Sequence, residues 1–480
     1  MRNVISPVLS TCTDTTLLHI AFSKSPLKLG GSALFQSLGA VGSEAPDVDD
    51  AAYFRAAFNA IQKIGKKGYA LAGHDISAGG LITCLLEMCF ANTKGGLEIS
   101  LDGFGGNDLV TALFAENPAV VLQVANASLE AAVAILSDAG VACTVLGSPT
   151  QERTVSVRKD GNTTIFDIDF MRDKWYETSY LLDTKQSFNG CAEERFKNYK
   201  SIPMHIQYPE HFKGTFASLG IDANRRKPSG VRAAIIREKG TNGEREMAYV
   251  LYLAGFDVKD VMMTDLVSGR ETLDDINMIV FCGGFSNSDV LGSAKGWAGA
   301  FLYNPKAKAA LDRFYAREDT LSLGVCNGCQ LMVELNLINP DHAKRSHLLH
   351  NNSRKFESNF TGVDIERNDS VMFGSLSGSK LGLWVAHGEG HFSLPEPESA
   401  YNIVMKYTYD KYPANPNGSD YNTAAIASAD GRHVAMMPHP ERAFLPWQCA
   451  YYPAGRTGDE VTPWVEAFVN ARKWVEQHAK

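Results

Sequence analysis

The sequence predicts an α/β protein made of two globular regions, residues 1–150 and 229–480, separated by a linker at 151–228. The first region mixes short apolar strands with amphipathic helices, a pattern typical of a mixed α/β lobe. In the second region strands alternate with helices, which indicates parallel βαβ units and a doubly wound, mostly parallel sheet. The middle stretch is polar and interrupted by prolines, so it is predicted to be a linker or a helical packing segment.

Apolar runs and helical periodicity place the individual elements. In the first region they predict strand 17–22, helix 50–66, strand 69–72, a helix ending near 91, strand 119–124, helix 128–139 and strand 142–146. In the second region they predict strand 231–236, helix 244–253, strand 258–264, strand 276–281, helix 304–315, strand 320–323 and helix 330–335. An active site in such a sheet lies beyond the carboxyl ends of its strands.

Composition excludes several functional classes. The 480 residues carry a formal charge of −8, which argues against a general nucleic-acid binder, although local sites for small anions remain possible. No uninterrupted apolar run of membrane-spanning length occurs, and the first residues do not look like a secretory signal. Nine cysteines without a regular spacing fit a reducing compartment, so a cytoplasmic protein is expected.

Cys326 is the first candidate catalytic residue. It lies between an apolar strand and a helical stretch, with Gly324 and Gly328 on either side. At a sharp strand-to-helix turn a side chain projects away from the sheet, and the flanking glycines are predicted to supply the permissive backbone. The positive end of the following helix would favour a thiolate. The alternative is a buried structural cysteine, which is a common fate of this residue.

His439 and Glu441 form the second candidate set. Pro440 disfavours the α conformation at His439, so the segment is predicted to be extended, with residues two apart on the same side. Glu441 could then orient the imidazole. With Cys326 this would make a triad of nucleophile, general base and orienting carboxylate. Alone, a histidine next to proline is more often structural.

The third set is the double glycine Gly283-Gly284, at the end of the strand predicted at 276–281. Exposed N–H groups at a strand end suit an oxyanion hole, and Gly284 and Asn327 are the predicted donors. A tight turn without any ligand explains two adjacent glycines equally well.

These residues resemble the class I, or triad, glutamine amidotransferases. The pattern G-x-C-x-G-x-Q is matched by Gly324, Cys326, Gly328 and Gln330, and P-H-P-E by residues 438–441. Further motifs at 386–390 and 412–418 are similar to those of one subfamily, the large single-chain phosphoribosylformylglycinamidine synthases. The resemblance implies that Gln330 helps to position the glutamine substrate. It also implies that the first region is a synthetase lobe like the C-terminal part of aminoimidazole ribonucleotide synthetases.

The same resemblance implies a cofactor site in the first region. By its position at a strand end before Gly-Gly, His74-Asp75-Ile76-Ser77 could equally be a ligand-free helix start or a Mg²⁺ and phosphate site. The family favours Asp75 as a Mg²⁺ ligand and Ser77 as a contact to an auxiliary nucleotide, with ATP and Mg²⁺ as cofactors. A Gly-Gly-Ser turn at 30–32 could be a second phosphate turn, but such turns are usually only loops.

The implied activity is a glutamine-dependent ligase of purine biosynthesis. Such enzymes convert formylglycinamide ribonucleotide, glutamine and ATP into formylglycinamidine ribonucleotide, glutamate, ADP and phosphate. The chain corresponds to the C-terminal portion of these long proteins, so the upstream synthetase part is expected as its missing partner. A stand-alone glutaminase subunit and a non-catalytic scaffold are the alternatives. A redox or zinc role for Cys326 and Cys329 is disfavoured, because the sequence has no second C-x-x-C and no clustered histidine to complete a zinc set, and the intervening Asn-Gly is not typical of a thioredoxin-like pair. A cysteine hydrolase would not predict Gln330 or the His439–Glu441 pair.

Two departures from the family pattern concern loop geometry. Asn287-Ser288 replaces the usual tyrosine and glycine after Gly-Gly-Phe-Ser, at a cost of about 1 kcal/mol if the loop needs a positive φ at Ser288. Lys355 stands where the family usually has arginine, and a bidentate contact would not survive that exchange.

Overall fold

The computed structural model describes residues 4–105 and 108–478. The chain forms two compact units, Met1–Ser179 and Tyr180–Lys480. The predicted division at 150 and 228 stays a prediction. Within the described residues, no helix combines the length and apolar character needed to cross a bilayer.

The first unit contains a seven-stranded sheet with helices packed on it. Its elements, up to the helix that runs across the unit boundary, are β1 (Thr15–Ala21), α1 (Ala33–Ser37), α2 (Ala51–Lys66), β2 (Ala70–Ile76), α3 (Gly80–Phe90), β3 (Gly96–Ser100), α4 (Leu109–Phe114), β4 (Ala119–Ala125), α5 (Asn126–Asp138), β5 (Cys143–Thr150), β6 (Thr154–Lys159), β7 (Asn162–Asp167) and α6 (Ile168–Asp183).

Both faces of this sheet are covered. The strand order is β2-β4-β1-β5-β3-β6-β7, antiparallel except for the β3–β6 pair. Alternate side chains of a strand point to opposite faces. Leu17 and Val121 accordingly enter the core that α3 covers, whereas Leu18 and Leu122 enter the core under α2 and α5. Asp50 caps α2 by accepting hydrogen bonds from the first-turn N–H groups of Ala52 and Tyr53, each 2.9 Å long.

The second unit is built on a nine-stranded sheet. Its elements are α7 (Cys191–Asn198), β8 (Arg232–Arg237), β9 (Thr241–Asn242), α8 (Glu244–Ala254), β10 (Asp257–Met262), α9 (Met263–Ser268), β11 (Met278–Phe281), β12 (Gly283–Gly284), α10 (Lys295–Tyr303), α11 (Pro305–Ala316), β13 (Leu321–Val325), α12 (Asn327–Glu334), β14 (His347–Leu349), β15 (Glu357–Ile365), β16 (Lys380–His387), β17 (His391–Ser393), β18 (Asn402–Tyr407), β19 (Thr423–Ala427), β20 (His433–Met436) and α13 (Trp464–His478).

This sheet has a parallel half and an antiparallel half. The order is β10-β8-β11-β13-β20-β19-β18-β15-β16, and the five strands from β10 to β20 are parallel. The remaining pairs, from β20–β19 to β15–β16, are antiparallel. β11 and β13 are buried along their whole length, and for β11 the apolar character of 276–281 predicted this.

Three neighbouring parallel strands deliver the candidate site to one edge of the sheet. β13 leads into Cys326, β11 leads into Gly283, and β20 leads into His439. Because these strands run in the same direction, their carboxyl ends meet at that edge. Residues that lie more than a hundred positions apart in the sequence are therefore brought together.

Candidate active site

Cys326 occupies a strained turn between β13 and α12. Its φ of 52° and ψ of −106° lie outside the usual regions for a residue with a side chain. The backbone is held on both sides of the turn, since the Cys326 N–H donates to the Met436 carbonyl at 2.9 Å and its carbonyl accepts from the Gln330 N–H at 3.0 Å. The predicted strand-to-helix turn is therefore present, and its strain falls on the cysteine itself.

The flanking glycines have a different role from the one predicted. Neither Gly324 nor Gly328 has a positive φ. A Cβ at Gly328 would instead lie 2.0 Å from the carbonyl oxygen of Phe281, and one at Gly324 would lie 2.5 Å from the Gly328 carbonyl oxygen. The two glycines thus allow α12 to pack directly against the sheet, which fixes the position of Cys326 at the start of the helix.

His439 and Glu441 form a buried pair. Nδ1 of His439 lies 2.6 Å from Oε1 of Glu441, and each side chain is only 1% exposed. The backbone is extended at His439, as predicted, but Pro440–Arg442 forms a turn of 3₁₀ helix rather than a continued extended segment. The His439 N–H donates to the carbonyl of Trp384 at 2.9 Å, which anchors the histidine to β16.

The imidazole of His439 lies beside Cys326. A Cβ added to Gly283 would be 2.8 Å from Cε1 of His439 and 3.3 Å from Cβ of Cys326, so the bare glycine backbone lines the space next to both residues. Burial alone lowers the pKa of His439, but the Glu441 carboxylate and the neighbouring Cys326 raise it to about 9. Among the described residues, Nε2 of His439 has no hydrogen-bond partner. It is available for proton transfer.

The predicted oxyanion loop begins at β12. Gly284 has a φ of 118°, and a Cβ there would lie 2.5 Å from the Gly240 carbonyl oxygen, so this position requires glycine. Asn287, Ser288 and Asp289 follow with φ values of 52°, 59° and 46°. Ser288 thus adopts the positive φ for which glycine is the better residue.

Asn327 and Gln330 join this loop to α12. Oδ1 of Asn327 accepts a hydrogen bond from the Ser286 N–H at 3.0 Å, and its Nδ2 donates to Oε1 of Gln330 at 2.9 Å. Nε2 of Gln330 donates to the Glu389 carbonyl at 2.6 Å. Both side chains are buried. The predicted substrate-positioning residue is therefore itself held by two neighbours.

A histidine that sequence reasoning left without a role lies next to this site. His387 ends β16, and burial together with the positive charge of His439 lowers its pKa to about 3. Asn351 holds the segment, since its Nδ2 donates to the His387 carbonyl at 2.7 Å and its Oδ1 accepts from the Gly390 N–H at 3.0 Å. The Ala386 carbonyl lies 3.6 Å from Sγ of Cys326. The motif at 386–390 was the signal, but only the fold shows that it borders the cysteine.

A cavity of about 970 Å³ opens beside these residues in the second unit. Gln330, which belongs to α12, and Glu389 are among the residues that line it. Its wall also carries four basic or titratable side chains: Lys295, His350, Arg354 and His391. The cavity is large enough for an amino acid, and it contains charges of both signs to bind one.

The second unit also contains a cluster of charged side chains around Asp183. Asp183 accepts from Nζ of Lys355 and from Nη1 of Arg195, each at 2.6 Å. Arg195 also reaches Oε2 of Glu357 at 3.3 Å, and the hydroxyl of Tyr412 donates to Oε1 of Glu357 at 2.8 Å. In the described part of the chain, Lys355 forms one ion pair, with Asp183, whereas Arg195 contacts the carboxylates of both Asp183 and Glu357.

Cys329 is not suited to act with Cys326 as a redox pair or as a zinc ligand. It is a fully buried residue of α12, and burial together with the neighbouring Cys326 raises its pKa well above the ordinary value. A thiol held in this form is a poor zinc ligand and a poor redox partner. All nine cysteines are free. These observations disfavour the redox and zinc alternative.

In the first unit, Asp75 and Ser77 lie at the end of β2 before α3. The Asp75 side chain is 72% exposed and 3.6 Å from Nδ1 of His74, and Ser77 is exposed. Within residues 4–105 and 108–478, no group of three or more metal-ligating side chains occurs. A Mg²⁺ ion beside Asp75 would therefore take most of its ligands from nucleotide phosphates and water rather than from the protein.

The Gly-Gly-Ser turn has no free N–H groups for a phosphate. Gly30 and Gly31 donate to the carbonyls of Glu44 and Val41 at 2.7 Å. The next N–H, that of Ala33, donates to Oε1 of Glu116 at 2.8 Å, and the same oxygen accepts from Gly79 at 2.8 Å. The carboxylate of Glu116 thus joins the two glycine-rich turns. Nothing in the spacing of the sequence pointed to this residue.

A family model described as the CobB/CobQ-like glutamine amidotransferase domain matches residues 230–475. The chain belongs to this family. Residues 19–160 match a second model, described as AIR synthase related protein, C-terminal domain. The amidotransferase match covers the candidate triad and the loop beside it, and the two matches confirm the predicted fold class.

Two curated relatives align with nearly the whole chain. The probable phosphoribosylformylglycinamidine synthase, chloroplastic/mitochondrial, of Arabidopsis thaliana is 39% identical over 489 residues, covering 96% of this chain and 34% of the relative. The phosphoribosylformylglycinamidine synthase of Homo sapiens is 39% identical over 492 residues, covering 95% and 36%. The predicted resemblance to these synthases is confirmed. The chain spans about a third of the length of these relatives.

Among solved structures, a chain of PurLQS from Thermotoga maritima is 25% identical, with a TM-score of 0.40. The match covers 52% of this chain and 99% of that chain.

Proposed function

We propose that the second unit of this amidotransferase-family chain hydrolyses glutamine, with Cys326 as nucleophile, His439 as acid and base, and Glu441 as the residue that orients the imidazole. The observation that carries the proposal is the placement of Cys326, on a strained turn, next to a buried His439–Glu441 pair. Strain at this position is explained if the turn has to present the sulfur to a substrate.

The chemistry follows from the positions of these atoms. With its pKa raised to about 9, His439 already carries a proton at Nε2 at neutral pH. Sγ of Cys326 attacks the carboxamide carbon of glutamine while that proton stays on the imidazole, and the backbone N–H groups of Gly284 and Asn327 stabilise the oxyanion. His439 then gives the proton to the departing nitrogen, which leaves as ammonia, and a thioester remains. His439 then takes a proton from water, which attacks the thioester and releases glutamate. Glutamine and water thus yield glutamate and ammonia.

The relatives that align with nearly the whole chain are named phosphoribosylformylglycinamidine synthases. In this proposal the ammonia therefore enters the ligase reaction that the resemblance implies, in which formylglycinamide ribonucleotide, glutamine and ATP give formylglycinamidine ribonucleotide, glutamate, ADP and phosphate. In this proposal the partner is the synthetase region that makes up the remainder of such proteins. The location is cytoplasmic, although one relative is named chloroplastic/mitochondrial.

The first unit is proposed to hold an auxiliary nucleotide. The match to the AIR synthase related C-terminal domain supports this assignment. Asp75 would supply one ligand to a Mg²⁺ ion that is bound mainly by phosphate oxygens, and Ser77 would contact the phosphates. The exposure of both side chains leaves them accessible to a ligand.

Labelling with a diazoketone analogue of glutamine tests the proposed glutaminase. The analogue should alkylate Cys326, as read by peptide mass spectrometry, and free glutamine should protect it. Cys12, which is exposed, and Cys329, which is buried, are internal controls that should stay unlabelled. A scaffold without catalysis would show no glutamine-protected adduct and no release of ammonia. Labelling of Cys12 and Cys326 at equal rates would also contradict the assignment.

A further inference from the structure

Three consecutive residues with left-handed backbone make the oxyanion loop unusual. Asn287, Ser288 and Asp289 all have φ between 46° and 59°, and none of them is glycine. Each such residue costs roughly 1 kcal/mol relative to ordinary backbone, so surrounding contacts must hold the loop in place. In the sequence these three residues come shortly after Gly284, whose N–H is a proposed oxyanion donor.

The carboxylate of Asp289 makes those contacts. Its Oδ1 accepts a hydrogen bond from the Ala294 N–H at 3.0 Å, which closes the turn after the loop. Both of its oxygens lie 3.2 Å from Nδ2 of Asn327, the residue that follows the nucleophile. Asp289 therefore connects the loop to the first turn of α12.

Asn327 passes this constraint on to the start of the loop. A carboxylate only accepts hydrogen bonds, so Asp289, together with Oε1 of Gln330, fixes the direction of the NH₂ group of Asn327. Oδ1 of Asn327 must then point the other way, where it accepts from the Ser286 N–H at 3.0 Å. Asn327 is fully buried, and no bulk water competes for these bonds.

We propose that Asp289 is a positioning residue for the oxyanion hole, acting through the side chain of Asn327 on the backbone around Gly284. This rests on the proposed glutaminase activity and deepens it. An amide at position 289 could present either its oxygen or its NH₂ group to Asn327. The Asn327 side chain could then rotate and leave the Ser286 N–H without its acceptor.

Two reactions at the same sulfur separate this role from a purely structural one. Hydrolysis of glutamine passes through an oxyanion, whereas alkylation of Cys326 by iodoacetamide displaces iodide and needs no oxyanion hole. In Asp289→Asn, kcat for glutamine hydrolysis should fall about 10- to 100-fold, because the donors are displaced rather than removed. KM and the iodoacetamide rate at Cys326 should change less than about two-fold. Asp289→Glu keeps a carboxylate and should recover part of kcat.

Asp430→Asn is the matched control. Asp430 also accepts from a backbone N–H, that of Arg432 at 3.1 Å, and from a hydroxyl, but it lies before β20, at the opposite end of the strands. Asp430→Asn should leave the rates of both glutamine hydrolysis and iodoacetamide alkylation unchanged. An unchanged kcat in Asp289→Asn would overturn the proposal, as would an unfolded variant or one in which both reactions slow equally. A wild-type chain that reacts with iodoacetamide but releases no ammonia would overturn the proposed glutaminase, and with it any role for the loop.

Discussion

Nδ1 of His439 lies 2.6 Å from Oε1 of Glu441, and the two side chains are buried together at the carboxyl edge of the parallel strands. A carboxylate at this distance fixes the tautomer of the imidazole and keeps Nε2 directed away from it. The pair thus sets both the orientation and the pKa of the group that would move protons at Cys326.

Replacing Glu441 by glutamine should remove both effects. The pKa of His439 should fall from about 9, and kcat for glutamine hydrolysis should drop by on the order of 10² to 10⁴, as for other orienting carboxylates. KM for glutamine should change little, and steady-state ammonia release would measure both constants. An unchanged kcat would exclude Glu441 from the mechanism.

The raised pKa of His439 also predicts a pH dependence of stability. Its folded pKa of about 9 lies above the unfolded value near 6.5, so its contribution is complete below about pH 6.5 and is lost as the pH rises through 9. The expected loss is about 3 kcal/mol. Urea unfolding at several pH values should show this loss in the wild type and not in His439→Gln. Equal pH slopes in the two proteins would contradict the prediction.

Ser288→Gly should stabilise the second unit. Ser288 is exposed and has a φ of 59°, so glycine removes backbone strain of up to about 1 kcal/mol without deleting a buried contact. Thermal unfolding measures the change. Ser358→Gly is the matched control, because Ser358 is exposed in strand β15, where glycine should destabilise by about 0.5–1 kcal/mol. A loss of stability in Ser288→Gly would argue against strain in this loop.

Gly328→Ala should disrupt the packing of α12 on the sheet. The added Cβ would lie 2.0 Å from the Phe281 carbonyl oxygen, which is backbone and cannot move aside without shifting β11. A loss of about 3 kcal/mol in the free energy of unfolding is expected, together with loss of labelling at Cys326. At Gly458, a Cβ meets nothing within 4 Å, so Gly458→Ala should be close to neutral.

Asp183→Asn should destabilise the second unit by about 2 kcal/mol, because Lys355 and Arg195 would lose their shared carboxylate. Burial alone raises the pKa of Asp183, but hydrogen bonds from Lys355 and Ser187 and the charge of Arg195 outweigh it and lower the pKa. Its contribution is therefore present at neutral pH and is lost as the pH falls through the depressed folded pKa. Urea unfolding at neutral and acidic pH should show the difference between wild type and variant shrink in acid.

Asp75→Asn should weaken binding of a magnesium–nucleotide complex without affecting stability. The side chain is 72% exposed, so its removal leaves no buried group unpaired. Calorimetric titration with ADP, with and without Mg²⁺, would measure the effect. Asp138→Asn, at an exposed helix end, is the control. Equal affinities of wild type and Asp75→Asn would remove Asp75 from the proposed site.

Local sequence patterns predicted the parts of the fold that depend on neighbours in the chain. The turn at Cys326 follows from short-range rules about strand ends and glycine. The contact between His439 and Glu441 was also predicted, but a 3₁₀ turn brings the two side chains together rather than the extended segment that the prediction assumed. The pairing of β15, β16 and β18 on the antiparallel side did not follow, because the register of distant strands leaves no local periodicity. The contact between Asp183 and Lys355, 172 positions apart, was hidden for the same reason.

The glycines at 324 and 328 show a second limit. Their presence correctly predicted the turn. A glycine, however, permits either a positive φ or a close approach of another backbone, and the sequence does not distinguish these two reasons. The φ values of the two glycines and their close contacts with backbone carbonyls, visible only in the fold, separate the two reasons. The role of Glu116 was likewise invisible, since it depends on two turns that meet only in the folded chain.

Gly283 carries a consequence for how related sequences are classified. Its bare backbone leaves 2.8 Å between a hypothetical methyl group and the imidazole of His439, and 3.3 Å to the Cys326 side chain. Alanine at position 283 would push the imidazole ring away from the sulfur, although Cys326, His439 and Glu441 would all still be present in the sequence. A homologue with all three catalytic residues would then be inactive. The residue that aligns with position 283 should therefore be inspected before activity is inferred from the triad alone.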